Sequence, residues 1–283
     1  MKYGVHTFLW TQTFDASNLA LLPQLKEQGF DGIEIARYQF DDFAAAKIGV
    51  EIARNGLECT LCCGLTGELS LISDDSAVRQ QALAFIQQAV QMAAELGVKT
   101  IVGPLVAPIG HFCGRRRTMD EWHRGVEGLQ SLGDILAQHD ITLAIEPLNR
   151  YQTYFLNTIA DALSLCEAVN HPNVGILFDV FHANIEEQDI PSAIRSAEQH
   201  LKHLHVCEND RGIPGTGHIP WQSVFMTLKE LHYDRWVVIE SFNFKDQELA
   251  ARTCTWRNLA STPEAIAYEG LAFLKRYGVE TPL

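Results

Sequence analysis

Positive charge is scarce in this sequence. Lysine and arginine number 22 against 35 aspartates and glutamates, giving a formal net charge of -13. Nucleic-acid affinity depends on neutralising phosphates with Lys and Arg, so this balance argues against a nucleic-acid surface and suits a small neutral polyol or sugar better than a polyanion. Long apolar runs are missing too. No stretch approaches the roughly 20 apolar residues that cross a bilayer, and the N-terminus lacks the basic, apolar and small-residue succession of an export signal. A cytoplasmic protein without a membrane partner is the expectation. The seven cysteines, Cys59, Cys62, Cys63, Cys113, Cys166, Cys207 and Cys254, are odd in number and show no small-domain disulfide framework, and the adjacent Cys62 and Cys63 do not make a CxxC redox pair, which fits a reducing compartment. Low-complexity linkers and long-period repeats are also missing, so nothing divides the 283 residues into separate domains.

What the chain does contain is an alternation of short apolar strands and helical segments. Strands are expected at Tyr3–His6, Gly32–Ala36, Glu58–Cys63, Lys99–Val102, Thr142–Glu146, Val174–Asp179, His203–Cys207 and Trp236–Glu240. Helices are expected over Asn18–Gln28, Phe43–Arg54 and Ser76–Leu96, from beyond Arg117 to about Gln138, over Thr158–Val169, from Pro191, and over Pro263–Tyr277. Gly29, Asn55-Gly56 and Gly97 supply helix stops. The pattern predicts an α/β fold, a (β/α)8 TIM barrel over residues 1–283 as one domain, an architecture that typically takes about 250 residues.

Four residues able to hold a divalent metal, Glu146, Asp179, His205 and Glu240, each stand at the end of an apolar run, in TLAIE, VGILFD, LKHLHV and WVVIE. Their spacings of 33, 26 and 35 residues match successive βα units converging on one point. Side chains two apart share a strand face, so Ala144 with Glu146, Leu177 with Asp179, His203 with His205, and Val238 with Glu240 are expected to point inward. In each pair the group at the C-terminal end is a candidate ligand, and that end is where these barrels place their chemistry. A single strand-terminal carboxylate is more ordinarily a helix cap. Three carboxylates in one barrel mouth, however, repel one another unless a cation or protons offset them. Three oxygen donors and one imidazole suit Mn, Mg or Co, with Fe or Zn also acceptable, and lack the thiolates of a structural zinc site.

The segments GFDGIEI (Gly29–Ile35), IEPLNRY (Ile145–Tyr151), FDVFHANIEE (Phe178–Glu187), HVCENDRGIPGTGHIPW (His205–Trp221) and VVIESF (Val237–Phe242) resemble the D-tagatose 3-epimerase and D-psicose (allulose) 3-epimerase family of the xylose isomerase-like barrel superfamily. The resemblance runs over essentially the whole chain. It implies one divalent metal ion per subunit, Mn(2+) by preference with Mg(2+) or Co(2+) as alternatives, held by Glu146, Asp179, His205 and Glu240. It also implies that Glu146 and Glu240 are the acid/base pair, that His182 and Arg211 bind substrate near the ketose carbonyl, and that Cys63, Gly64, Leu65 and Phe242 line the sugar pocket. A homodimer or homotetramer acting on a small-molecule sugar is implied as well. The chemistry is coherent with those residue types: inverting a carbon beside a carbonyl requires removing a weakly acidic C–H proton, holding the resulting enediolate, and returning a proton from the opposite face.

One position departs from the family. Epimerases of free ketohexoses usually carry Glu six residues after the first metal glutamate, whereas this chain has Gln152. Glutamine donates as well as accepts hydrogen bonds and carries no charge, and at this position it is similar to relatives acting on 3-keto-glycosides. The expected substrate contacts are therefore His6, Cys63, Gln152, His182, Arg211 and Phe242, with a free ketose as the expected substrate and an oxidised glycoside as the alternative.

Several other features have two readings. His6, Phe8 and Trp10 fall around the first strand end, either as plain core or as an aromatic wall presenting an apolar face to sugar carbons. Gly114-Arg115-Arg116-Arg117 is either a solvated or salt-bridged loop in an acidic protein, or an active-site lid, a subunit contact or an anion clamp folded over the barrel mouth. Pro214-Gly215-Thr216-Gly217-His218 lacks the Lys and the spacing of a phosphate loop. Other function classes compatible with the ligands are an isomerase or dehydratase of a polyol derivative, a nuclease on the same barrel, and a non-catalytic sugar-binding protein. The nuclease would need further histidines and a basic groove.

Overall fold

The computed structural model of the protein describes residues 1–41 and 43–280; Asp42 and residues 281–283, included in the expected domain, lie outside them. Eight strands alternate with helices. In chain order they are β1 (Lys2–His6), α1 (Leu21–Gln28), β2 (Gly32–Ala36), α2 (Ala45–Arg54), β3 (Glu58–Cys62), α3 (Ser76–Leu96) and β4 (Thr100–Gly103). The second part runs α4 (Met119–Gln130), α5 (Gly133–His139), β5 (Thr142–Ile145), α6 (Ile159–Val169), β6 (Val174–Asp179), α7 (Val180–Glu186) and α8 (Ile190–Ala197). It closes with β7 (Leu201–Val206), α9 (Trp221–Glu230), β8 (Trp236–Ile239), α10 (Gln247–Arg252) and α11 (Pro263–Glu280). The strands are all parallel and β8 pairs with β1, closing the barrel.

Local chemistry sets the helix ends. Asp75 caps α3 by accepting from the Ala77 N–H, and Thr118 with Glu121, then Thr158 with Asp161, form reciprocal capping boxes at α4 and α6. Gly29 and Gly97 end α1 and α3 in the left-handed conformation that glycine adopts without steric cost. The expected single helix to Gln138 is two helices. The break falls at Ser131 and Leu132, where the Ser131 hydroxyl donates to the Gly128 carbonyl and Gly133 packs close to the His171 ring.

Alternation along the strands divides the interior in two. Ile33, Ile35, Leu61, Ile101, Leu143, Ile176, Leu204 and Val237 point outward into the large apolar layer beneath the helices, each burial of that kind being worth about 1.5–3 kcal/mol. Cys62, Val102, Ala144 and Leu177 point inward and form a small apolar plug within the barrel. Beside that plug are buried polar groups, Glu34, Thr60, His203 and His205. At the end of β4, Gly103 has φ of 128° and its Cα lies against the Cys63 carbonyl. A side chain there would collide with backbone, so this close strand-end contact requires glycine.

Candidate active site

The four expected ligands come together at the C-terminal mouth of the barrel. Asp179 closes β6, His205 is the penultimate residue of β7, and Glu146 and Glu240 directly follow β5 and β8. All four are buried, and each offers a ligand atom within 4.8 Å of the others. The His205 ring holds its Nδ1 toward this cluster, 3.4 Å from Glu240 Oε2 and 4.0 Å from Glu146 Oε1, without making a hydrogen bond. An imidazole nitrogen facing carboxylate oxygens, with no hydrogen-bond partner of its own, fits a site built around a cation. Three carboxylates and one imidazole form a set for one divalent metal.

The two glutamates differ in their preference for a proton. Burial and the nearby Glu240 and Asp179 carboxylates push the Glu146 carboxyl well above the usual range, against the pull of His205 and Arg211. Burial acts the same way on Glu240, but Arg211 and His205 outweigh it and hold that carboxyl well below its usual range. Before any cation binds, the two carboxyls are thus pushed apart in proton affinity, Glu146 upward and Glu240 downward.

A cavity of about 250 Å³ opens over the cluster, lined among others by Glu146, Gln152, His182, Arg211, Glu240 and Phe242. At ~30 Å³ per water molecule, this is room for one monosaccharide. His182 sits in α7, where its Nδ1 accepts from the backbone N–H of Asn149 at 3.2 Å and the Asn149 side-chain amide at 2.9 Å. Those bonds place the ring proton on Nε2, which lies 3.6 Å from both Glu146 and Asp179. Burial brings the His182 pKa down to about 4, so the ring is neutral at neutral pH and presents an N–H donor.

Arg211 is held from several directions. Its Nη1 is 2.8 Å from both Asp179 and Glu240, and its guanidinium stacks on Phe181 at 4.2 Å and Phe242 at 5.3 Å. The Ser241 hydroxyl donates to its carbonyl at 2.6 Å. Its φ of 68° lies in the left-handed region, a strained conformation for a long side chain and one that clusters at functional sites when surrounding contacts enforce it.

Two expected contacts are placed differently from the rest. Cys63 lies in the apolar layer between barrel and helices, while its neighbour Cys62 faces the cavity. Alternation explains this, because adjacent residues at a strand end point to opposite faces. His6 is fully buried below the cavity wall. Its Nδ1 accepts from the Phe8 N–H, leaving Nε2 directed at Glu240 Oε1 from 3.9 Å. The arginine run does not form an anion clamp: Arg115 pairs with Glu121 at 2.8 Å, and Arg117 with Asp161 at 2.8 Å and the Phe155 carbonyl at 2.7 Å.

Glu34, Asn149 and Glu208 support the site without being among the residues expected from the sequence. Glu34 is fully buried and touches His205, His203 and Thr60. Glu208 accepts from the backbone N–H groups of Gly215 and Ile219 and from the Trp221 indole, at 2.8, 2.9 and 2.9 Å. The available signal was alternation: in GIEIA, Glu34 falls on the inward face, opposite Ile33 and Ile35.

A family model described as xylose isomerase-like TIM barrel matches residues 22–277. The chain is 38% identical over 276 residues to the "Probable ketose 3-epimerase" of Synechocystis sp. (strain ATCC 27184 / PCC 6803 / Kazusa), covering 98% of this chain and 96% of the other. It is 32% identical over 250 residues to the 3-dehydro-D-guloside 4-epimerase of Escherichia coli (strain K12), covering 85% and 92% respectively. A solved structure of L-ribulose 3-epimerase superposes with a TM-score of 0.93 at 30% identity, covering 98% of this chain and 94% of that one.

Proposed function

The chain belongs to the xylose isomerase-like TIM barrels and, within them, to the ketose 3-epimerase family, and on that premise we propose that it inverts carbon 3 of a free ketose. The observation that carries this reading is the convergence of Glu146 and Glu240, with Asp179 and His205, at one monosaccharide-sized cavity. One of the two glutamates takes the C3 proton from one face of the sugar, and the other returns one from the opposite face. The roles exchange in the reverse direction, as two-base proton transfer requires. The Nε2–H of His182 and the Nη groups of Arg211 donate to sugar oxygens at the carbonyl end, holding the substrate against rotation. Phe8, Tyr38 and Phe242 present apolar surface to the sugar carbons and keep water from the reacting face. A divalent cation held by Glu146, Asp179, His205 and Glu240 supplies positive charge that lowers the cost of the developing enediolate.

The hard, oxygen-rich ligand set favours Mn(2+), with Mg(2+) and Co(2+) as alternatives. Among the described residues no helix is long and apolar enough to cross a membrane. The unpaired state of all seven cysteines supports a cytoplasmic location.

A second reading, epimerisation of a 3-keto-glycoside, is favoured by one observation: the cavity wall carries Gln152. One experiment separates the two. Metal-loaded protein is incubated in heavy water with D-fructose, D-tagatose, L-ribulose or a 3-keto-glucoside, and NMR locates the incorporated deuterium. Label at C3 of a ketose together with its C3 epimer is the expected result. Exchange confined to the keto-glycoside, or at another carbon, would remove the free ketose as substrate.

A further inference from the structure

We infer that Glu34, in the middle of β2, is a positioning residue that selects which nitrogen His205 offers to the cation. The inference rests on the cation site of the proposed reaction and concerns a residue two strands away from any of the four ligands.

The geometry is specific. Glu34 Oε1 lies 2.6 Å from His205 Nε2, and both side chains are fully buried. Glu34 Oε2 is fixed by the Thr60 hydroxyl at 2.8 Å and faces His203 Nε2 at 2.9 Å. An ionised carboxylate accepts hydrogen bonds and cannot donate them. His205 must therefore carry its proton on Nε2 whenever this contact is made. The lone pair is then left on Nδ1, the nitrogen that faces Glu240 and Glu146. The opposite tautomer would set an Nε2 lone pair against the Glu34 carboxylate and leave Nδ1 unable to coordinate. Through one hydrogen bond, a residue on β2 thus sets the donor atom on β7, and Thr60 on β3 keeps the carboxylate from turning away. A carboxylate bonded to the far nitrogen of a metal-binding histidine also makes that histidine a better donor.

Stability alone is a weak reason for this arrangement. Taking a carboxylate out of water costs several kcal/mol, and a buried ion pair is often no more stabilising than apolar residues of similar volume. The plug of Cys62, Val102, Ala144 and Leu177 shows that this barrel interior already packs apolar side chains. What an apolar residue at position 34 cannot do is fix the His205 ring.

The test compares Glu34→Gln and Glu34→Met with the wild-type chain. Mn(2+) affinity is measured by calorimetry, and thermal unfolding is followed on the same proteins in chelator. Glu34→Met should lose roughly 10–100-fold in Mn(2+) affinity, and its metal-free unfolding midpoint should fall as well, because the buried His205, His203 and Thr60 lose their carboxylate partner. Glu34→Gln, which retains a carbonyl acceptor for Nε2–H, should fall between the two. Affinity of Glu34→Met within threefold of wild type would overturn the assignment. If Glu34→Met does not fold, the wild-type protein decides: with 15N-labelled histidine and bound Zn(2+), a diamagnetic probe, His205 should show a protonated Nε2 and a metal-shifted Nδ1. The reverse pattern sinks the proposal. Wild-type chain that binds no Mn(2+) at all would overturn the cation site itself, and with it this role, an outcome distinguishable from metal binding that ignores residue 34.

Discussion

At the scale of single residues, the separation between Glu146 and Glu240 makes the most demanding prediction. If the two act from opposite faces of the sugar, replacing one with Gln does not abolish proton removal from both epimers. The remaining glutamate can still take the C3 proton from its own face and, after exchange with solvent, return a deuteron to that same face. Glu146→Gln should therefore wash deuterium into C3 of one ketose epimer without inverting it, and Glu240→Gln should do so only for the other. Net epimerisation in either variant should fall by roughly 10²–10⁴-fold, the usual contribution of a positioned acid or base. The measurement is NMR in heavy water at saturating Mn(2+), since each substitution also weakens a ligand of the cation. Loss of exchange from both epimers in either variant would mean that one glutamate serves both faces, and the two-base reading would be abandoned. His182 does not compete for the base role, because burial makes its ring a weak base, with its pKa down to about 4, and its Nδ1 lone pair is taken up by Asn149.

At the scale of elements, the segment between β7 and α9 depends on one buried carboxylate. Glu208 gathers the Gly215 and Ile219 amides and the Trp221 indole. Its carbonyl also accepts from the Arg211 N–H at 2.9 Å, which helps to hold Arg211 at its left-handed φ. Glu208→Ala leaves these side-chain acceptors missing and should cost about 3 kcal/mol of stability in urea unfolding. It should also raise KM more than it lowers proton exchange on bound substrate, because Arg211 is positioned through this segment. An unchanged KM would show that Phe181, Phe242 and Ser241 hold Arg211 without Glu208. The elements themselves were unevenly legible in the sequence. Strand positions could be read because apolar alternation, glycine stops and strand-end carboxylates recur in every unit, and the four candidate ligands followed from that period. Three helices were not placed: α7 begins immediately after the β6 carboxylate within FDVFHANIEE, α9 lies behind a loop rich in Gly and Pro, and α10 has six residues. Short helices depend on tertiary packing more than on propensity, so their sequences carry little signal. Glu34 escaped for a different reason. A lone polar residue alternating with isoleucines looks the same in a half-exposed strand as in a closed barrel, and only closure shows that its face is interior.

At the scale of the whole molecule, a chain with a net charge of -13 concentrates three carboxylates and Glu34 around the mouth and interior of its barrel. Arg211 offsets part of that charge, and burial beside Glu240 and Asp179 raises the affinity of Glu146 for a proton. A divalent cation bound only in the folded state adds RT ln(1 + [M]/Kd), about 2.7 kcal/mol at a hundredfold excess over Kd. At roughly 2–4 °C per kcal/mol for chains of about 150–250 residues, the unfolding midpoint should rise by several degrees with Mn(2+) and fall back in chelator. The rise should saturate with the same affinity that calorimetry reports. Asp179→Asn should reduce it without changing the midpoint in chelator by a comparable amount, because it removes a ligand while leaving Arg211 paired with Glu240. A midpoint indifferent to both Mn(2+) and chelator would mean that protons and Arg211 neutralise this cluster unaided. The barrel would then be a preformed sugar cavity without its electrophile, and the proposed chemistry would lack the charge it needs to hold an enediolate.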